Sequence, residues 1–171
     1  EPLELVDEIV TEIDLQPPPL YWPVGEAGDF RGLAHVNDDG EADEYIHFTR
    51  TAGGSTIAPE EHFTPDDAAA KEGDVWETAI EEAELLAADG AVHNQDLFEQ
   101  CVTSPLIFAS AMLNFGVHQI LDTLCAIAPA PEGRESDPAA VEASTSAMDE
   151  SRSVGDEFSG VVFKVQAGMD K

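Results

Sequence analysis

Two histidines bracket an acidic turn: His35 precedes Asn37-Asp38-Asp39-Gly40-Glu41-Ala42-Asp43-Glu44, and His47 follows it. If the flanking segments pair as a hairpin, His35 and His47 would face each other with carboxylates nearby, a conceivable divalent-metal site. The five histidines otherwise lack ligand spacing, and no metal is expected. The acidic turn itself has the carboxylates that calcium prefers. Gly40, however, is misplaced for an EF-hand loop and no helices flank it, so a solvated turn is expected. Ser, His and Asp are all present, but no Gly-x-Ser-x-Gly elbow occurs and neither cysteine has a nucleophile's local context. Phosphoryl chemistry needs a phosphate cradle, metal ligands and an oriented water together. The chain has no Gly-x-x-x-x-Gly-Lys-Ser/Thr loop and no Asn-Lys-x-Asp, and Asp29-Phe30-Arg31-Gly32 fits an Asp-x-x-Gly pattern by chance. The chain by itself is therefore expected to be catalytically inactive.

Charge narrows the partners. The 171 residues hold 36 Asp and Glu against 7 Lys and Arg, a formal net charge of -29. A protein that grips nucleic acid offers clustered Lys and Arg to displace counterions, whereas the only lysines here are Lys71, Lys164 and Lys171. Direct nucleic-acid binding is not expected on that ground. The acidity fits either a partner with a basic face or a general habit of a salt-adapted organism. Trp22, Trp76 and the phenylalanines have no interleaved basic groups, so they are expected in the core and not as a base-stacking platform. No apolar run reaches membrane-spanning length, and Glu1, Glu4, Asp7 and Glu8 occupy the stretch where a signal peptide would carry positive charge, so the chain reads as cytoplasmic. Cys101 and Cys125 fall in segments expected to be buried helices, with thiols kept reduced.

The elements that must position these residues are partly legible. Leu5, Val6, Ile9, Val10 and Ile13 share a helical face, and Pro17-Pro18-Pro19 ends that helix. Leu20–Val24, Arg31–Val36 and Glu44–Thr49 have the pattern of short strands, the last two joined by the Asn37–Gly40 turn. Gly53–Pro65 is rich in Gly, Ser and Pro and is expected as a connection. Val75–Ala88 has Val75, Trp76, Ala79, Ile80, Ala83 and Leu86 at helical spacing, with Glu77, Glu81, Glu82 and Glu84 opposite. A further helix is expected over Gln95–Thr103, a buried parallel strand over Pro105–Ala109 and a helix over Val117–Ala128. Pro129–Glu157 has a linker's composition, and Phe158–Gln166 is expected to start a new strand. That strand has almost nothing after it, so the sequence is expected to be a cut piece of a longer protein.

Three ordered segments resemble the bacterial peptide chain release factor 3 family of translational GTPases and together span nearly the whole chain. Glu1-Pro2-Leu3-Glu4-Leu5-Val6-Asp7-Glu8, with Trp22-Pro23-Val24-Gly25 and Phe30-Arg31-Gly32-Leu33, is similar to the family's stretch directly after Asn-Lys-x-Asp. Pro105-Leu106-Ile107-Phe108-Ala109-Ser110-Ala111-Met112-Leu113-Asn114-Phe115-Gly116-Val117, continuing through Ile120-Leu121-Asp122 to Ala128-Pro129-Ala130-Pro131, is similar to the last strand, fifth nucleotide motif and closing helix of the GTPase domain. Phe158-Ser159-Gly160-Val161-Val162-Phe163-Lys164-Val165-Gln166-Ala167-Gly168-Met169-Asp170 resembles the opening strand of the second domain and is the most family-specific match. Ala109 and Gly168 depart from the family's usual Gly and Asn.

The resemblance implies an α/β fold: an insert subdomain of a P-loop-type GTPase domain over 1–100, with short strands and packed helices. Residues 101–130 would be the strand, fifth motif and closing helix, 131–157 a flexible linker, and 158–171 the first strand of a β-barrel domain. It implies that Ser110, Ala111 and Met112 form the guanine-facing loop, with backbone N–H groups, Ala111's above all, against the base. On the bare residues, Ser110 reads as a helix cap. GTP or GDP and Mg²⁺ would belong to the parent protein, with none expected on this chain. The parent would act on the ribosome, removing class I release factors after peptide release. Glu77, Glu81, Glu82 and Glu84 are a candidate surface for the ribosomal stalk protein by analogy with related factors. The alternatives are a piece of an elongation factor G-like GTPase and a free-standing acidic protein-binding domain.

Overall fold

The structure, a computed structural model, describes residues 1–49 and 58–129. The linker expected over 131–157 and the strand expected over 158–171, with its family-specific segment, lie outside the described residues.

The first helix, α1 (Pro2–Ile13), forms where the apolar spacing places it. Proline at the first turn needs no amide partner. The helix closes on Asp14, whose left-handed conformation (φ 56°) lets its N–H donate to the Val10 carbonyl at 3.1 Å. Pro2 and Val6 are buried, while Leu5 and Ile13 are 49% and 62% exposed.

Four strands follow in an antiparallel run: β1 (Pro19–Val24), β2 (Gly32–Val36), β3 (Ala42–Phe48) and β4 (Glu60–Phe63). The expected hairpin is β2–β3, and Asn37 closes it. Its Oδ1 accepts from the amides of Asp39 and Glu41, both at 3.0 Å, and its carbonyl accepts from Gly40 N–H at 2.9 Å. Asn can thus substitute a side-chain bond for a backbone turn, as the sequence pattern requires. β5 (Leu106–Ile107) pairs in parallel with β1, giving a five-stranded mixed sheet in the order β4-β3-β2-β1-β5. The parallel direction matches the expectation, but β5 is only half-buried because it lies at the edge of the sheet. The sheet therefore runs across the boundary expected at residue 100.

β4 and the helix after it, α2 (Pro65–Glu72), were not expected. Glu60-Glu61-His62-Phe63 has no apolar alternation because β4 is an edge strand with its middle residues exposed. α2 buries little beyond Ala68 and Glu72, so it leaves no apolar stripe either. The legible signal was its start: Thr64 Oγ1 accepts from Asp67 N–H, Pro65 takes the first turn, and Asp66 and Asp67 complement the N-terminal dipole. Gly73 (φ 57°) separates α2 from α3 (Asp74–Ala88), which buries Trp76, Ala79 and Ala83 as its spacing dictates. α4 is shorter than expected, Gln95–Glu99, since Cys101 turns left-handed (φ 59°) and redirects the chain toward β5. α5 (Val117–Ile127) forms as expected but packs weakly: Gln119 is buried, whereas Ile120, Leu121 and Leu124 are 40–56% exposed. Cys101 on the turn and Cys125 on α5 are both exposed, correcting the expectation of buried thiols.

The sheet is apolar on both faces. On one, Trp22, Val24, Ala34, Val36 and Tyr45 pack against Val6 of α1, Ala68 of α2 and Trp76, Ala79 and Ala83 of α3. On the other, Leu33, Ile46, Phe48 and Ala58 are joined by Tyr21, Phe30, Phe108 and Phe115. The expectation that both tryptophans are packing residues is met, Trp22 being fully buried and Trp76 nearly so. Phe30, Phe48, Phe63, Phe108 and Phe115 join the two clusters, whereas Phe158 and Phe163 lie outside the described residues. Among the described residues no helix is long and apolar enough to cross a membrane.

Candidate functional site

The loop after β5 is where ligands gather in open α/β sheets, beyond the carboxyl end of a parallel strand. Here the chain leaves β5, runs through Phe108 and Ala109, and doubles back between Ser110 and Phe115. Ser110 N–H donates to the Phe115 carbonyl at 3.0 Å and Phe115 N–H donates to the Ser110 carbonyl at 3.2 Å. The Ser110 Oγ accepts from Leu113 N–H at 3.3 Å. Ser110 thus caps a turn inside the loop and does not cap α5, whose N-cap is Gly116. Asn114 (φ 59°) and Gly116 (φ 70°) both take the left-handed conformation that brings the chain into α5.

Two aromatic rings hold this loop to the sheet. Phe115 stacks on Phe30 with centroids 4.1 Å apart and ring planes 19° apart, and it meets Phe48 at 5.6 Å. Above that anchor, Ala111 and Met112 project into solvent, Met112 being 81% exposed. Among the described residues, the N–H groups of Ala111 and Met112 have no hydrogen-bond partner. A loop closed at its base with free amides at its tip can present two donors to a planar acceptor. A cleft of about 360 Å³ opens beside it, lined by Pro2, Leu5, Pro23, Phe30, Phe108 and Phe115 among others.

Phe30 belongs to Asp29-Phe30-Arg31-Gly32, which has a structural role. Arg31 grips Asp29 through two bonds, 2.9 and 3.3 Å, and reaches across to Glu72 at 3.0 Å. Gly32 is required because a Cβ there would fall on the Ile46 carbonyl of the neighbouring strand. Glu72, whose side chain is only 5% exposed, also accepts from the Tyr45 hydroxyl at 2.9 Å. The Tyr45 oxygen lies 3.0 Å from His47 Nδ1. Because the single phenol proton goes to Glu72, His47 must donate to Tyr45 through a protonated Nδ1. This buried network joins the strands to α2, and sequence reasoning missed it, since a lone Glu in a helix without periodicity carries no signal.

His35 and His47 do not face each other. His35 is paired with Glu44 and His47 with Gly32, which places the two rings on opposite faces of the sheet. His35 Nδ1 lies 2.5 Å from Asp43, and His47 turns to Tyr45 and Glu72. The acidic residues expected as a surface divide as well. Glu77, Glu81 and Glu84 are exposed along one stripe of α3. Glu82 points to the sheet and accepts from the Trp22 indole N–H at 3.0 Å.

Burial pushes the Tyr45 phenol well above its ordinary value of 10.0, and donation to Glu72 adds to the shift. Tyr21 is raised too, first by burial and then by the carboxylates around it, including Glu44 and Asp122. These are the only two tyrosines. A raised folded-state value means that the unfolded chain loses its phenol protons first. The stabilisation is therefore complete below pH 10.0 and is lost as pH rises above it. Tyrosinate absorbance should appear together with the loss of helical ellipticity. Ionisation of both phenols with an ordinary midpoint in a still-folded chain would contradict this.

No protein-family model matches the chain.

Proposed function

We propose that this chain is part of a translational GTPase of the release factor 3 kind and supplies the loop that recognises guanine. The observation that carries the reading is the Ser110–Phe115 loop, whose closed base, with Ala111 and Met112 amides unpaired among the described residues, follows a strand parallel to β1. Guanine O6 is an acceptor with two lone pairs, which two adjacent N–H donors fit, whereas the amino group of adenine at that position would meet donor with donor. In this reading residues 1–100 are an insert subdomain within a P-loop-type nucleotide domain, and 101–130 complete that domain. GTP or GDP and Mg²⁺ are held by residues of the parent that this chain lacks. The parent works on the ribosome in the cytoplasm, releasing class I release factors by GTP hydrolysis. Glu77, Glu81 and Glu84 form the stripe offered to a basic partner such as the ribosomal stalk protein, and Glu82 serves the fold.

The reading is tested by sequencing the gene upstream of Glu1 and titrating the isolated chain with GDP. A phosphate loop and an Asn-Lys-x-Asp motif in the upstream frame support it. Their absence would sink it. The chain alone should bind GDP more weakly than about 1 μM, because the phosphate contacts that dominate nucleotide affinity are missing.

A further inference from the structure

We infer that the folded state of this chain depends on high ionic strength, with salt supplying screening that, among the described residues, its own side chains do not. The argument starts from the formal charge of -29 and from where the few cations sit. Among the described residues Arg31 and Lys71 are the only Lys or Arg, and both are committed. Arg31 is taken by Asp29 and Glu72. Lys71 lies 3.4 Å from Glu61 and 4.1 Å above the Phe63 ring. Histidines meet some of the remaining carboxylates, His62 with Glu44 at 2.9 Å and His118 with Asp122 at 3.6 Å. Those contacts offset a carboxylate's charge only while the imidazole is protonated.

The carboxylates along the helices are also arranged unfavourably for a low-salt fold, although Glu4 meets the N-terminal ammonium at 3.3 Å. Glu4, Glu8 and Glu12 follow one another at four-residue spacing on α1, and Glu77, Glu81 and Glu84 share a face of α3. Like charges at these spacings destabilise a helix. The dipole favours Glu4 and Glu77 in the first turns, but neither helix has a basic residue in its last turn to offset the carboxylates further along. The packing that must resist this repulsion is thin on α1 and α5, whose Leu5, Ile13, Leu121 and Leu124 are about half exposed or more. Repulsion between exposed charges acts over the Debye length, about 30 Å at 0.01 M salt and about 3 Å at 1 M. Only near the upper end is each carboxylate isolated from the next turn of its own helix.

The test is thermal unfolding of the full chain by circular dichroism across a KCl series from about 0.05 M to about 2 M. The expected result is a midpoint that rises by at least about 15 °C over the series, with NaCl equivalent and sucrose of matched osmolality giving little of the rise. A flat midpoint would overturn the inference. So would sucrose reproducing the whole rise, since exclusion from the surface and not screening would then be at work. Glu77→Lys, Glu81→Lys and Glu84→Lys combined should lower the KCl concentration needed for half-maximal folding at least about twofold. If that variant does not fold, the corresponding three Glu→Gln changes remove the same charges without adding new ones. An unchanged salt requirement in the folded variant contradicts the inference.

Discussion

Trp22→Ala is expected to destabilise the chain by about 3–5 kcal/mol, the range for emptying a large buried aromatic site. Trp22 is fully buried on β1, where its ring meets Phe108 edge to face at 5.3 Å. Its N–H also supplies Glu82 with a bond at 3.0 Å. The substitution therefore opens a cavity against α3 and leaves the partly buried Glu82 carboxylate without its donor. A domain of this size has a total stability of about 5–15 kcal/mol, so the loss takes a large share. Trp22→Phe separates the two contributions, since it keeps most of the packing and should lose about 1–3 kcal/mol, mainly from the abandoned carboxylate. Urea unfolding in molar KCl is the measurement. A Trp22→Ala midpoint that matches the parent would show that α3 does not depend on this ring.

Gly116→Ala is the second large effect, and it bears on the loop itself. Gly116 has φ 70°, and a Cβ there would sit 2.6 Å from the Phe108 carbonyl oxygen and 2.9 Å from the Ala109 Cβ. The left-handed conformation costs an L-residue about 1–2 kcal/mol, and forcing a methyl against backbone adds about 1–3 kcal/mol. Neither neighbour can yield cheaply, because both belong to the chain leaving β5. The loop should give way instead, freeing the amides of Ser110 and Phe115 from each other. Hydrogen exchange reads this directly: protection at those two amides should fall while protection in β2 and β3 is kept. Unaltered exchange at Ser110 and Phe115 would mean that the loop base does not rely on Gly116.

The sequence was most informative where burial is one-sided and periodic. α1, the β2–β3 hairpin and α3 follow from spacing and from the Asn37–Gly40 turn, since each has one face in the core and one in water. Elements held mainly by polar contacts left no such trace. β4 and α2 are recorded only in the Thr64-Pro65-Asp66-Asp67 start signal, because Glu72, the residue that ties α2 to the strands, is charged and buried. The same gap explains the histidines, where strand assignment was right but register was not, and register alone decides which face His35 and His47 occupy. The loop residues Ser110, Ala111 and Met112 entered through family resemblance. Their geometry, a base closed by Ser110 and Phe115 and anchored on Phe30, depends on a contact between segments more than eighty residues apart in sequence. No local pattern reports such a contact.

The central claim is the guanine-facing role of that loop. Its most direct test is a titration of the intact gene product with GDP and with ADP, following the backbone amides of Ser110 through Phe115 by NMR in molar KCl. The account predicts saturable GDP binding, with the largest shift at Ala111 N–H, and ADP affinity at least about tenfold weaker, a difference of about 1.4 kcal/mol. Equal binding of the two nucleotides, or GDP binding that leaves the Ala111 and Met112 amides unmoved, would contradict it.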